Sequence, residues 1–284
     1  ANVLALSVLT PPYGAIYCHE LSHIHVDECG GPEFYSGGAK LIPMPGDGAK
    51  ITAQDLEGVL AQAGAGDVHS PQPAAVSLSQ ESELGTLYSL DELAEISEIA
   101  MAHHLAFHMD GARFANAVAA LGCRPAEMTW KAGVDVLSFG ASKNGALGVE
   151  AVVFFRPDGV KDFEYRRKRG GHLFSKMRYL TAQLEAYLAD DLWLRNARHA
   201  NAMAARLAEG LAVLPGVSLR YPVQANELFP QLPLTMVTGL RERGFRFYDA
   251  GPPERGWIRL VTAFNTAPED IEAFLQAAAG LAEK

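Results

Sequence analysis

Apolar positions in the first half of the chain alternate between short continuous runs and longer segments with helical spacing. The short runs, typical of buried strands, cover residues 15–18, 39–42, 74–79, 105–109, 134–139 and 149–155. Segments with helical spacing cover residues 1–9, 52–62, 89–104 and 114–121. Because strands alternate with helices, the pattern predicts an α/β fold with a mostly parallel central sheet flanked by helices.

Particular residues mark where these helices begin and end. Pro11 and Pro12 stop the first helix, because proline cannot continue the helical hydrogen-bond pattern. Ser89 and Glu92 have the spacing of a capping box, in which each side chain accepts a hydrogen bond from the other residue's backbone N–H. We therefore expect the helix at 89–104 to begin directly after Ser89.

The second half of the chain has a different pattern. Residues 174–214 are almost wholly helical, with a break at Asp190 and Asp191 that predicts a helix cap and a domain seam. Short strands are then predicted at 217–221, 227–231, 246–249 and 257–261, followed by a helix at 268–281. The sequence thus predicts a large domain over residues 1–190 and a smaller C-terminal α+β domain over residues 191–284.

Composition and charge narrow the classes of function. The chain has 284 residues, 49% of them hydrophobic, which is typical of a globular protein large enough for two domains. Its net charge of −9 disfavours nucleic-acid binding. No apolar stretch approaches the ~20 residues of a membrane helix, so we expect no membrane association. Three cysteines without a C-x-x-C pair predict neither a disulfide framework nor a cysteine zinc site, and favour a cytoplasmic location.

Candidate chemistry lies after the predicted strands, because ligands of α/β sheets bind beyond the carboxyl ends of the strands. His108, Asp110 and Arg113 follow the strand at 105–109 and are expected in a tight loop. Lys143 follows the next strand, and His23 follows the first one.

Lys143 is surrounded by Gly, Ala and Ser in residues 140–146, which leaves space for a planar ligand beside its nitrogen. It is a candidate Schiff-base lysine, whose amine becomes neutral through desolvation and nearby positive charge, with Arg113 as a candidate neighbour. Asp110 could keep a pyridine nitrogen protonated, which makes the ring an electron sink. Taken singly, these residues fit a solvated loop lysine and an Asp-Gly turn equally well.

Two long motifs resemble those of a known enzyme family. Residues 108–117 (His-Met-Asp-Gly-Ala-Arg-Phe-Ala-Asn-Ala) and 138–145 (Ser-Phe-Gly-Ala-Ser-Lys-Asn-Gly) are similar to motifs of the low-specificity L-threonine aldolases of bacteria. These are lyases with pyridoxal phosphate and the aspartate aminotransferase fold (fold type I). The resemblance implies cleavage of L-threonine, L-allo-threonine and other β-hydroxy-α-amino acids to glycine and an aldehyde. It also implies a homodimer or homotetramer.

The resemblance implies a role for each of five residues. Lys143 matches the lysine that forms the Schiff base with pyridoxal phosphate, and Asp110 matches the partner of its pyridine nitrogen. His23 matches a histidine stacked on the ring. Arg113 matches an arginine near the cofactor and the substrate carboxylate, and Arg259 matches a carboxylate-binding arginine from the small domain.

The sequence departs from the family pattern in two places. Ala1-Asn2 matches the end of a Gly-Thr turn that grips the cofactor phosphate, and we expect the segment before it to be missing from these 284 residues. Glu83 stands where many relatives have a histidine near the substrate hydroxyl, so it is expected to contact substrate. His23 is the leading candidate for the base that removes the hydroxyl proton, with Glu83 and a water as rivals and a pure stacking role as the alternative for His23. The basic run 166–169 is expected to be a solvated turn, with a phosphate of an adjacent subunit as the alternative.

Two other functions compete with the aldolase. His19-Glu20-x-x-His23 has the pattern of a zinc hydrolase, which requires both histidines on one helix. This stretch follows a predicted strand, so no metal site is expected. The second alternative is a non-catalytic module that retains the pyridoxal phosphate fold. No phosphate loop, dinucleotide fingerprint or serine-hydrolase elbow occurs in the sequence.

Overall fold

The computed structural model describes residues 1–157 and 160–282. Its main strands are β1 (Gly14–His19), β2 (Lys40–Met44), β3 (Gln72–Ser79), β4 (Ala106–Gly111), β5 (Val136–Gly140) and β6 (Glu150–Phe154). The C-terminal strands are β7 (Ser218–Leu219), β8 (Glu227–Leu228), β9 (Pro230–Gln231), β10 (Tyr248–Asp249) and β11 (Ile258–Val261).

The helices in the N-terminal part are α1 (Asn2–Leu9), α2 (His23–Val26), α3 (Gly31–Ser36), α4 (Ala53–Leu60), α5 (Leu90–Ala102), α6 (Phe114–Leu121), α7 (Pro125–Met128) and α8 (Val160–Arg169). The remaining helices are α9 (Arg178–Leu188), α10 (Leu192–Ala212), α11 (Leu234–Glu242) and α12 (Pro268–Ala282). Short 3-10 turns lie at Asp47–Ala49, Trp130–Ala132, Ser142–Asn144, Ala189–Asp191 and Pro253–Arg255.

The first six strands form one sheet in the order β2-β1-β3-β4-β5-β6. Neighbouring strands are parallel except β5 and β6, which are antiparallel. Residues 141–149 connect β5 to β6, and this connection is too short for the crossover that a parallel pair needs. The carboxyl ends of β1 to β5 consequently meet at one edge, and β6 begins at that same edge.

Hydrophobic side chains pack into a core on each face of this sheet and a further core in the C-terminal part. One face packs against residues of α5 and α6, and the other packs around Leu6, Ile16 and Ile24. The C-terminal core contains residues of α11, α12, β8 and β11. Helix α10 contributes to two cores, because Trp193 and Ala197 lie in the first and its later turns lie in the C-terminal one.

The main sequence predictions of fold are confirmed. The chain has an α/β architecture with a mostly parallel sheet, followed by small sheets and helices. Helix α6 has the predicted bounds, and Ser89 and Glu92 form the predicted capping box at the start of α5. The domain boundary at residue 190 stays a proposal. No helix among the described residues is long and apolar enough to cross a membrane.

Several local predictions are wrong. Asp191 precedes α10, but its side chain makes no capping hydrogen bond, since Asp190 and Asp191 both adopt positive φ angles. The strand predicted at 227–231 is divided between two small sheets. The basic run 166–169 forms the last turn of α8, not an irregular turn, and α11 was not predicted.

Candidate active site

One cavity of about 750 Å³ lies at the carboxyl edge of the large sheet. The six site residues predicted from the sequence all line it: His23, Glu83, Asp110, Arg113, Lys143 and Arg259. Five of them come from loops or strand ends of the large sheet, whereas Arg259 lies on β11 of the C-terminal part. The cavity is thus formed where these two parts of the molecule meet.

Lys143 lies in a 3-10 turn directly after β5, and neighbouring residues hold this turn from two sides. The carboxylate of Glu150 accepts hydrogen bonds from the backbone N–H groups of Ala141 and Ser142, at 3.3 and 3.2 Å. On the other side, the Asn144 amide donates to the Tyr187 hydroxyl at 2.7 Å. The Lys143 side chain, by contrast, remains accessible from the cavity.

The surroundings of Lys143 favour its neutral form. Partial burial of the amine lowers its pKa, and the charge of Arg113 lowers it further. The carboxylates of Asp110 and Glu227 oppose this shift. The direction agrees with the prediction that desolvation and Arg113 act together on this lysine.

Asp110 is buried near the end of β4, with its carboxylate on the cavity wall. One carboxylate oxygen accepts from the backbone N–H of Ala112 at 3.0 Å, and the other accepts from the Asn2 side chain at 2.7 Å. The same Asn2 amide donates to Glu28 at 2.9 Å. Asn2 therefore fixes the orientation of two carboxylates.

His23 begins α2 beside this pair of carboxylates. Its Nδ1 lies 2.8 Å from an oxygen of Glu28, and ligand-type atoms of His23, Glu28 and Asp110 lie within 4.8 Å of one another. The hydrogen bond to Glu28 raises the pKa of His23, although partial burial opposes the shift. A histidine with a raised pKa spends a larger fraction of its time protonated at neutral pH.

Glu83 lies on the loop after β3. One of its carboxylate oxygens accepts from the Ser79 hydroxyl and from the His23 backbone N–H, the latter at 2.9 Å. The other oxygen is buried without a well-formed hydrogen bond from any described residue. Burial raises the pKa of Glu83 to about 7, and the charge of Asp110 acts in the same direction. Glu83 can therefore accept or release a proton near neutral pH.

Arg113 and Arg259 meet at one buried acid. Both guanidinium groups contact the same oxygen of Glu227, whose side chain is 0% exposed. Arg113 precedes α6 and Arg259 lies on β11, so Glu227 links two distant elements of the fold. Since both arginines line the cavity and Glu227 does not, the acid lies behind them and orients them.

Glu81 is a second buried acid at the same place. Its side chain lines the cavity on the loop that also carries Glu83. Burial raises the pKa of Glu81 to about 8, and the charge of Glu227 raises it as well, whereas Arg113 and Arg259 lower it.

The zinc-hydrolase alternative is contradicted by the position of His19. Residue 19 ends β1 and His23 begins α2, so the two histidines do not share a helix. Both ring nitrogens of His19 already contact backbone groups, at 3.0 Å from the Leu21 N–H and 3.0 Å from the Gly46 carbonyl.

His108 lies in the core and not in a loop. It is 0% exposed within β4, and its two ring nitrogens contact the hydroxyls of Ser77 and Ser138 at 2.8 and 2.9 Å. Burial lowers the pKa of His108 to about 4, so the ring is neutral. It joins three strands and does not line the cavity.

Three further residues belong to this site but were not predicted from the sequence. Glu81 and Glu227 are buried acids, and a lone acid in a predicted strand could have drawn attention to Glu227. Asn2 was noted only as the end of a phosphate-binding turn, and its contacts with Glu28 and Asp110 were not predicted, because both partners lie far along the chain.

The donor set fits the predicted cofactor. An accessible amine with a lowered pKa is suited to a carbonyl group, and a buried carboxylate is suited to a protonated ring nitrogen. The side chains of Lys143, Asp110 and His23 line one cavity of about 750 Å³.

Comparisons with known proteins show which family this chain resembles. Residues 1–232 match the family profile described as beta-eliminating lyase. The chain is 49% identical to the low specificity L-threonine aldolase of Pseudomonas aeruginosa over 272 residues, or 96% of this chain and 77% of that protein. Threonine aldolase from Leishmania major superposes with a TM-score of 0.92 at 29% identity, covering 99% of this chain and 81% of that one.

A second solved structure supports the fold alone. A PLP-dependent aminotransferase from Streptococcus suis superposes with a TM-score of 0.73 at 17% identity, covering 99% of this chain and 74% of that one. The arrangement of strands and helices described above is therefore shared with enzymes of different reactions.

Proposed function

The chain belongs to the beta-eliminating lyase family, and from that premise we propose that it is a low-specificity L-threonine aldolase. It cleaves L-threonine, L-allo-threonine and other β-hydroxy-α-amino acids to glycine and an aldehyde. One observation carries the proposal beyond similarity: an accessible lysine with a lowered pKa shares a cavity with a buried aspartate and two arginines.

We propose pyridoxal phosphate as the cofactor. Lys143 would hold its aldehyde carbon, Asp110 would keep a proton on its ring nitrogen, and His23 would lie against the ring. When bound, the cofactor supplies a conjugated ring that accepts the electron pair of the bond broken at the substrate Cα. The hydrogen bonds from Asn2 and Ala112 keep the Asp110 carboxylate in place for its role.

Arg113 and Arg259 would bind the substrate carboxylate. Each guanidinium has five N–H donors, and Glu227 uses only part of that capacity, so donors remain for a second carboxylate on the cavity side. Binding at two fixed points orients the substrate, and the orientation selects the Cα–Cβ bond for cleavage.

We propose Glu83 ahead of His23 as the base that removes the proton of the β-hydroxyl. The pKa of Glu83 is about 7, so its carboxylate is available at neutral pH. His23 has a raised pKa and contacts Glu28, which favours the protonated ring and a stacking role. Loss of the hydroxyl proton lets the Cα–Cβ bond break and the aldehyde leave, and protonation at Cα then yields glycine.

The protein partners remain predictions from the sequence. A homodimer or homotetramer and a cytoplasmic location are consistent with the proposed enzyme, and a small-molecule amino acid is its substrate. Size-exclusion chromatography with light scattering would measure the assembly directly.

The function is tested by incubating the protein and pyridoxal phosphate with L-threonine, L-allo-threonine and D-threonine. Each of the two L-substrates should give glycine and acetaldehyde in a one-to-one ratio. The D-substrate should give neither product. Borohydride reduction followed by peptide mapping should place the cofactor on Lys143, and Lys143→Ala should lose both adduct and activity. A reduced adduct without any aldehyde would contradict the proposal and favour the non-catalytic module.

A further inference from the structure

A cluster of two acids and two arginines forms the wall of the cavity where the substrate carboxylate is expected. Glu227 lies behind Arg113 and Arg259 and accepts from both through a single oxygen. Glu81 lies at the cavity wall beside them. The members come from four separated segments, namely the loop after β3, the start of α6, β8 and β11.

Several polar atoms of this cluster are buried with incomplete hydrogen bonding. The backbone N–H of Asn226 points toward the Glu81 carboxylate, but neither oxygen of Glu81 has a well-formed hydrogen bond from a described residue. Among the same residues, Oε2 of Glu227 has no donor and the Nε–H of Arg259 has no acceptor. An ionised Glu81 carboxylate beside the ionised Glu227 would be costly at this depth, because only Glu227 has arginine donors. A proton on one of them removes the repulsion between the two acids.

The charge of the cluster depends on that proton. With Glu81 protonated, two guanidinium groups face one carboxylate and the cluster carries one net positive charge, which a substrate carboxylate neutralises. With Glu81 ionised, the cluster is already neutral, and a substrate carboxylate would add an uncompensated negative charge. The groups that face Glu81 are Glu227 from β8, Arg113 from the start of α6 and Arg259 from β11.

We propose that Glu81 is a positioning residue that must hold a proton for the substrate carboxylate to bind between Arg113 and Arg259. Carboxylate binding is then linked to proton uptake by the protein. This inference rests on the proposed function, because it assumes that these two arginines form the substrate-carboxylate site.

The expected direction of the pH effect follows from burial. The pKa of Glu81 is raised to about 8, so the acid is mostly protonated at pH 7 and mostly ionised at pH 9. Affinity for a carboxylate should therefore fall by about tenfold between these two pH values, if only the protonated form binds.

The test uses 3-hydroxybutyrate, which carries the carboxylate and hydroxyl of the substrate but has no amine. Its affinity for the cofactor-loaded protein is measured by calorimetry from pH 7 to pH 9, in buffers of different ionisation enthalpy. We expect the wild type to lose about tenfold in affinity and to take up about one proton per site at pH 9. Glu81→Gln should show neither effect, whereas the exposed control Glu98→Gln should behave as the wild type.

Two outcomes would overturn the inference. Carboxylate affinity of the wild type that is constant from pH 7 to pH 9, or a Glu81→Gln variant with the full wild-type pH dependence, would remove the assigned role. The wild-type measurement alone decides the question if Glu81→Gln does not fold. Proton-linked carboxylate binding without aldol cleavage would instead contradict the proposed function and leave the linkage intact.

Discussion

Protonation at the scale of single residues is set by burial and by hydrogen-bond partners. Glu83 and His23 illustrate this: one carboxylate oxygen of Glu83 accepts from the His23 backbone N–H, and the ring of His23 contacts Glu28. Burial raises the pKa of the acid, and the contact with Glu28 raises the pKa of the histidine. Near neutral pH part of the Glu83 population is therefore ionised, whereas the contact with Glu28 favours the protonated ring of His23.

Replacing these two residues should separate their roles. Glu83→Gln should lower kcat on L-threonine by about 100-fold or more, because a positioned general base contributes at least that much. His23→Phe should keep the cofactor and most of kcat, since an aromatic ring can still stack. Steady-state kinetics with cofactor absorbance would measure both effects.

The pH profile gives an independent check of this assignment. An acid that acts in its ionised form should give a wild-type kcat that rises with pH up to about 7 and then levels off. That rise should vanish in Glu83→Gln. Near-normal turnover in Glu83→Gln together with a collapse in His23→Phe would transfer the role to His23.

Site residues could be predicted from the sequence where a long motif or the family resemblance points to the chemistry. Lys143 and Asp110 lie in long motifs beside small residues, and both line the cavity. Glu227 acts through contacts with Arg113 and Arg259, and these pairings form only when distant segments come together. A local sequence pattern does not indicate which distant residues will come into contact.

At the scale of elements, close approach of two loops brings the lysine and the aspartate into one site. Gly140 ends β5, and a Cβ atom on it would lie 2.6 Å from the Cα of Ala112. Ala112 lies between Asp110 and Arg113, so Gly140→Ala must displace the loop that carries both. We expect kcat to fall by about 10- to 100-fold, as small displacements of reacting groups can do.

The matched control for that variant is Gly58→Ala in α4, where an added Cβ meets no atom within 4 Å. This substitution should stabilise the helix by about 0.5–1 kcal/mol and leave kcat unchanged. Equal activity of the two variants would show that the approach at Gly140 does not matter for catalysis.

The capping box of α5 should contribute measurably to stability. Ser89 accepts from the backbone N–H of Glu92 at 3.1 Å, and Glu92 accepts from the Ser89 backbone N–H at 2.7 Å. Ser89→Ala should lower the free energy of unfolding by about 1 kcal/mol, whereas Ser89→Asp should retain most of it. Denaturant unfolding would measure the difference, and an unchanged midpoint in Ser89→Ala would contradict it.

Strands and helices with a clear periodicity of apolar residues could be predicted from the sequence. Elements that depend on tertiary packing could not. The strands of the large sheet and α6 follow from apolar runs and helical spacing. Helix α8 has a strongly polar sequence, and the basic residues of its last turn were expected to form a solvated turn instead of a helix. Asp190 and Asp191 resemble a cap, but their positive φ angles place the side chains elsewhere.

At the scale of the whole molecule, the residues that form the cavity belong to elements packed on two different hydrophobic cores. Strands of the large sheet position Lys143 and Asp110, whereas Arg259 and Glu227 belong to strands packed on the C-terminal core. Helix α10 packs into both cores and so joins the two halves. Cofactor attachment and carboxylate binding should therefore respond separately to core mutations.

Leu211→Ala tests this separation, because Leu211 is fully buried in the C-terminal core. We expect a loss of about 2–5 kcal/mol in stability and a raised KM for L-threonine, with cofactor absorbance retained. Leu93→Ala in the core of the large sheet is the control, and should lower stability without a selective rise in KM. Identical KM values in the two variants would contradict the separation.

The antiparallel pairing of β6 has a consequence for the order of events in folding. Residues 141–149 form a short loop that joins the paired strands β5 and β6. The turn that carries Lys143 can therefore form by closing a short loop, which costs little conformational entropy. The contacts of Arg113 and Arg259 with Glu227 join segments more than a hundred and about thirty residues apart, and must await a long-range search. During refolding from denaturant, protection of the 141–149 turn from hydrogen exchange should accordingly return before affinity for the amino acid.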